Sequence, residues 1–299
     1  MHSYSAYGLC IKSEIPLPEL VPSDKPAGDV AIRIGKLDHF PAKPIQKNGC
    51  WCHVTLKEIF FYWEQVGKFS VRNGKEITVD PWPLVEHKII RLLLLGTVLG
   101  ALLQQRKSVV LHAGAVSLNG SSIAFLGDKG TGKSSMVAAC IAKGYHILAD
   151  DLVAIQSGGK GKPITFPAFP QLKLWPDTLS FMGDDLEKWH RLHPDVEKRV
   201  RLVDDGFQTA PVLLKGIYVL KEGATLEIQS IPRREAFIEL LRHLYFANYL
   251  KVPDFISTYF DKVAFITKNI SVHRLIRPKS LSLLPEVAEL VHEHSLRKT

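Results

Sequence analysis

Between Phe125 and Ser135 the chain reads FLGDKGTGKSS, which places Gly127 and Gly132 five residues apart with Lys133 and Ser134 directly after them. That spacing suits a phosphate cradle. Glycines at 127, 130 and 132 let the backbone turn its N–H groups inward, where side chains would obstruct an anion. The cradle then runs from Gly127 through Asp128, Lys129, Gly130, Thr131, Gly132, Lys133, Ser134 and Ser135. A helix starting near Lys133 adds its positive end. Lys133 is placed to reach the β- and γ-phosphates of a nucleotide, and the Ser134 hydroxyl to ligate Mg²⁺.

Seventeen residues after Lys133 comes Asp150, followed by Asp151, at the end of YHILADD. Such a pair can be an acidic helix cap, a Mg²⁺ ligand, or a ligand together with a base. Apolar strands deliver their last residues to the sheet edge where ligands bind. Neighbours on a strand point to opposite faces, so both carboxylates reach one site only if the chain turns there. Two carboxylates pressed together raise one pKa unless a cation neutralises one of them. The reading taken is Asp150 on the metal and Asp151 as acceptor of a hydroxyl proton. The short spacing sets the acidic strand directly after the cradle helix, unlike many P-loop enzymes.

The elements that must position these groups are legible around them. SIAFLG reads as the strand feeding the cradle, KSSMVAACIAKG as the helix leaving it, and Gly144 as that helix's stop. Asn119-Gly120 marks a hairpin before the strand. Further on, LLKGIYVL and ATLEIQSI look like two strands, VAFITKN and SVHRLI like more strand, and RREAFIELLRHLYFANYL and PEVAELVHEHSLRKT like helices. Residues 1–81 read as a smaller β-rich unit with an Asn73-Gly74 hairpin. Residues 82–299 form the catalytic unit, beginning with a helix over 84–105 that links the two. FPAFPQLKLWP is either a rigid loop over the site or core. Arg233, Arg234, Arg242 and His243 are either acceptor contacts or one solvated helix face.

Composition bounds the function. The 299 residues are 46% hydrophobic and 23% charged, ordinary globular usage. A net charge of +8 favours an anionic ligand or acidic peptide, and its dispersal in short clusters argues against nucleic acid. The longest apolar run, Ile89 to Leu103, contains Arg91 and falls short of a bilayer span, so it reads as a buried helix, and no membrane role is expected. No basic segment followed by an apolar stretch opens the chain, which leaves a cytoplasmic location as the expectation. Cys50 and Cys52 share one face of a strand, with no second pair at zinc spacing, and read as reduced structural thiols.

LHAGAV, GDKGTGKSS and LADD together resemble the catalytic domain of HPr kinase/phosphorylase, a bacterial serine kinase with a fold related to phosphoenolpyruvate carboxykinase. They are more similar still to the HPr-kinase-like proteins of lasso-peptide gene clusters, which phosphorylate the C-terminal serine of a precursor peptide. The resemblance is strong over about 111–153, weaker beyond, and absent before Trp82. It implies an α/β fold of the HPr kinase/phosphoenolpyruvate carboxykinase type, with a P-loop, and ATP and Mg²⁺ as cofactors. It also implies a peptide acceptor ending in serine and a homo-oligomer. Asp151 is implied as base, Asp150 and Ser134 as metal ligands, and Lys133 and His112 as groups beside the transferring phosphate. On the residues alone His112 reads equally as a core histidine. The family's glutamate-and-arginine signature is replaced here by Gln171 and Lys173. Gln171 brings an amide oxygen to the metal without charge. The alternatives are a small-molecule or other protein serine kinase, or a non-catalytic ATP sensor.

Overall fold

Both Asn-Gly pairs turn as their residue types require. Asn73 and Gly74 take φ of 52° and 62°, and Asn119 and Gly120 take 51° and 72°, the double left-handed geometry of a tight hairpin. The computed structural model describes residues 1–38, 45–47, 49–55, 57–246 and 253–296. It is a mixed α/β chain with several sheets, divided into two units: Met1–Val110 with Tyr245–Lys262, and Leu111–Leu244 with Val263–Thr299. Residues 82–110, grouped with the catalytic unit in the sequence reading, thus pack with the first.

The first unit is built on β1 (His2–Ala6), β2 (Leu9–Ser13), β3 (Val21–Pro22), β4 (Val30–Ile34), β5 (Ile45–Lys47), β6 (Cys50–Val54), β7 (Glu58–Trp63), β8 (Gly67–Arg72) and β9 (Glu76–Pro81). They form one sheet in the order β3-β1-β2-β4-β9-β8-β7-β6-β5. Alternation sends Cys50, Cys52, Ile59, Phe61, Phe69, Val71, Ile77 and Val79 into the core. Burial pushes the Cys50 thiol up to about 12, so it stays an unreactive thiol.

The helical run of this unit is α1 (His87–Leu93), a π turn over Leu94–Val98, and α2 (Leu99–Gln105). It begins three residues later than expected, because Leu84 sits at φ 66°. By length and composition this 19-residue run could cross a bilayer. Its Leu94, Val98, Leu99 and Leu102 are buried.

In the second unit β10 (Val109–Leu118) and β11 (Ser121–Leu126) form the hairpin, and α3 (Lys133–Ala142) follows the glycine loop. After α3 come β12 (His146–Ala149), β13 (Leu152–Ser157), β14 (Pro163–Phe166), β15 (Gln171–Leu174), α4 (Pro176–Phe181), β16 (Arg191–His193) and β17 (Val196–Leu202). The rest is β18 (Val212–Glu222), β19 (Glu227–Ser230), α5 (Arg233–Arg242), α6 (Pro253–Asn269, which belongs to the first unit through Lys262), β20 (Ser271–Arg277) and α7 (Leu284–Leu296). The main sheet runs β11-β10-β13-β14-β18-β20-β19; β12 adds to β10, and β11 also pairs with β18. A separate small sheet is ordered β15-β17-β16.

One expectation fails here. VAFITKN, read as strand, is the second half of α6. Tyr259, Val263, Ile266 and Thr267 are buried, a helical spacing that outweighs the β propensity of Val, Phe, Ile and Thr. The two strands LLKGIYVL and ATLEIQSI exist as β18 and β19, but β20 lies between them. FPAFPQLKLWP is partly strand, and its Ala168 and Phe169 are core.

What positions the site is the close seat of α3. Met136, Val137, Ala138 and Cys140 are buried among Val116, Ile147, Leu172, Val287 and Val291, from β10, β12, β15 and α7. Each fully buried aliphatic side chain stabilises by roughly 1.5–3 kcal/mol. The tightest approach is at Gly114 on β10, where an added Cβ would lie 2.5 Å from Val137 Cγ2. Gly114→Ala is therefore expected to destabilise by about 1–3 kcal/mol through overpacking, read as a lower Tm. Val137→Ala in the same chain should restore most of that loss, and no rescue would show that the strain lies elsewhere.

Candidate active site

The register of β10 brings the chemistry to one edge. Ala113 pairs with Leu126 on one side and Ala115 with Ala149 on the other, so the residues that follow those partners, Gly127 and Asp150, leave the sheet at one edge, level with His112 and Gly114 of β10. His112 is one step along β10, and its N–H donates to the His243 carbonyl at 2.9 Å.

The glycine loop is closed on itself. Gly127, Gly130 and Gly132 have φ of 152°, 90° and 88°. A Cβ on Gly127 would lie 2.6 Å from Thr131 Oγ1, whose hydroxyl donates to the Asp128 carbonyl at 2.9 Å. Lys133 Nζ donates to the carbonyls of Gly127 at 2.8 Å and Asp128 at 3.1 Å. Burial lowers the Lys133 pKa, and Asp151 and Asp150 partly offset that. Ser135 shares a hydrogen bond of 3.0 Å with Thr178.

Only Asp150 and Asp151 separate β12 from β13, and Asp151 takes φ 74°. This is the turn that lets both carboxylates serve one site. Asp150 is buried; its Oδ1 accepts from Ser134 Oγ at 2.9 Å and its Oδ2 from the Lys173 N–H at 2.9 Å. Burial first, then the neighbouring Asp151, push its carboxyl up to about 6. Asp151 Oδ2 instead accepts from Lys173 Nζ at 2.7 Å. Burial pushes Asp151 up, but Lys173, Lys198 and His112 outweigh it and hold the carboxyl well below the usual range.

His112 Nε2 lies 3.9 Å from Asp151 Oδ1. Burial and then Lys133 pull the imidazole down to about 4, so it is neutral at pH 7 and this contact is not an ion pair. Beside these groups lies a cavity of about 480 Å³. Of the expected residues, His112, Lys129, Gly130, Gly132, Lys133, Ser134, Ser135 and Asp151 line it. Gly127, Asp128, Thr131 and Asp150 stand behind that wall. Gln171 is buried on the same face of β15 as Lys173, and its Oε1 has no hydrogen-bond partner among the described residues.

Sequence reasoning missed Lys198, Arg277 and Lys279, which also line the cavity, as does Trp175 from the segment read as a loop over the site or core. Lys198 stands 5.8 Å from the Trp175 ring centroid. Lys173 was noted only as a departure, and its bond to Asp151 makes it part of the site. Of the basic residues set aside for the acceptor, His243 is buried, with its Nε2 3.6 Å from Oε2 of buried Glu239, and burial lowers its pKa. Arg233 lines a different pocket.

Ser134 and Asp150, bonded to each other, offer the oxygen donors a hard divalent cation takes, whereas Gln171, with its orphaned Oε1, does not line the cavity. The buried Asp150 carboxyl, raised by burial and by Asp151 beside it, is the group that a cation there would neutralise. A consequence is testable without activity. Asp150→Asn is expected to stabilise the metal-free protein at pH 7 by about 1–3 kcal/mol. The folded-state pKa lies above the unfolded one, so wild-type stability falls as pH rises from about 4 to 6. The advantage of the variant should therefore vanish near pH 4. Urea denaturation at both pH values decides this, and equal stabilities at pH 7 would refute it.

No family model and no curated protein matches the chain. Among solved structures it is similar to the Hpr(Ser) kinase/phosphatase from Coxiella burnetii, at 14% sequence identity and a TM-score of 0.35. The match covers 63% of this chain and 97% of that one. At that identity and score the likeness adds no weight to the geometry of the site.

Proposed function

We propose that the second unit is a serine kinase of the HPr kinase/phosphoenolpyruvate carboxykinase type. It transfers the γ-phosphate of ATP, with Mg²⁺, to a serine hydroxyl of a peptide, the C-terminal serine of a lasso-peptide precursor. One observation carries this reading: the glycine loop and the consecutive Asp150 and Asp151 meet at one sheet edge, with Ser134 bonded to Asp150 at 2.9 Å. A nucleotide sensor has no need of the second carboxylate.

Ser134 and Asp150 would hold Mg²⁺, which when bound neutralises charge on the β- and γ-phosphates. Lys133 leaves the two loop carbonyls and turns its ammonium to the same phosphates. Asp151, ionised at neutral pH, accepts the proton of the acceptor hydroxyl as that oxygen bonds to phosphorus and ADP leaves. A carboxylate of low pKa is a weak base. It serves a loose transfer in which the hydroxyl loses its proton late, so its main contribution is orientation. Neutral His112 is placed to hydrogen-bond a phosphoryl oxygen, and Lys173 keeps Asp151 ionised and aimed.

The test is intact-mass analysis of peptides ending in serine, incubated with the full chain, ATP and Mg²⁺. Addition of one phosphate, absent with small alcohols as acceptors, is the expected result. Bound nucleotide with no transfer to any acceptor would favour the sensor.

A further inference from the structure

Arg277, the last residue of β20, reaches the glycine loop from 146 residues away in sequence. Its Nη2 donates to the Thr131 carbonyl at 2.9 Å and its Nη1 to the Pro278 carbonyl at 3.3 Å. The fit is close enough to dictate a neighbour. A Cβ on Gly132 would stand 2.3 Å from Nη2 and push the guanidinium aside, while the φ of 88° is what requires glycine there.

Bracing explains those two bonds but not the choice of residue. Both acceptors are neutral carbonyls, which an amide or ammonium could serve. The residue is 7% exposed, and although the charge of Glu222 acts on it, no carboxylate among the described residues forms an ion pair with it. Its Nε is buried with no hydrogen-bond partner among them. A desolvated cation with an unused donor is costly unless an anion completes it. Arg277 lines the cavity together with Gly130, Gly132 and Lys133. An arginine is the side chain that holds a carbonyl with one arm and a phosphate oxygen with another.

We infer that Arg277 is a nucleotide-binding residue, which holds the Thr131–Gly132 half of the loop in place and gives a remaining Nη–H to a phosphate oxygen of the bound nucleotide, its enclosed Nε reporting the change. This rests on the nucleotide reading above and adds a ligand contact from outside the loop. The contact is to phosphate, so it discriminates among ligands by phosphate content.

The experiment is calorimetric titration of the full chain with ADP and with adenosine, without acceptor. Arg277→Lys keeps the charge and loses the fork. It is expected to raise the Kd for ADP at least tenfold and to leave that for adenosine within twofold. Should the variant fail to fold, ¹⁵N NMR of the wild type carries the test. A solvent-protected arginine Nε–H signal should shift on addition of ADP and stay fixed with adenosine. Wild-type protein that binds no ADP overturns this inference together with the kinase proposal. ADP binding that is equal in Arg277→Lys, or an Nε–H signal indifferent to ADP, overturns this inference alone.

Discussion

Asp151→Asn is expected to reduce phosphoryl transfer by about 10²–10⁴-fold, the usual contribution of a positioned acid–base group, while the Kd for ADP stays within about twofold. The split follows from the wiring of the two carboxylates. Asp150 carries the hydrogen bonds from Ser134 and the Lys173 N–H, so the cradle side of the site survives the change. What the asparagine loses is proton acceptance and the ion pair with the Lys173 ammonium at 2.7 Å. Intact-mass progress curves measure the first effect and calorimetry the second. Undiminished transfer would remove Asp151 from the mechanism. A parallel loss of ADP affinity would instead make it a structural partner of Lys173.

Lys133→Ala has the opposite signature. ATP and ADP affinity should fall by roughly 10²-fold or more, and transfer should drop below detection, since the ammonium is the charge closest to the cradle. Two further losses compound the effect. The carbonyls of Gly127 and Asp128 lose their donor, and the loop loses the tie that joins its first residues to α3. Thermal stability reports that second loss independently. A variant that keeps wild-type ADP affinity would rule out the phosphate cradle and, with it, the kinase.

How much of this was legible depended on the distance over which each feature is determined. The glycine loop, the strand before it and the Gly144 stop are local patterns, and all three are where the residue types put them. The turn between Asp150 and Asp151 followed from requiring two adjacent carboxylates to serve one site, and φ 74° at Asp151 supplies it. Arg277 and Lys198 were not legible, because β20 and β17 bring them to the cavity from far along the chain and neither stands in a local motif. Gly114 gave a signal that passed unused. A glycine within the apolar strand LHAGAV marks a close approach, here to Val137 on α3. In α6 the burial spacing was present in VAFITKN but outweighed by its strand-like residue types.

The two-residue link between β12 and β13 also limits how such a site can change over time. A loop of ordinary length could gain or lose a residue and carry one acid to a new place. Here any insertion or deletion displaces at least one acid and slides β12 or β13 against β10, with which both strands pair. Diversification is thereby channelled into the surrounding side chains. Lys173, Lys198 and Gln171 can be exchanged one at a time, and each exchange resets the basicity or reach of an acid that itself stays put.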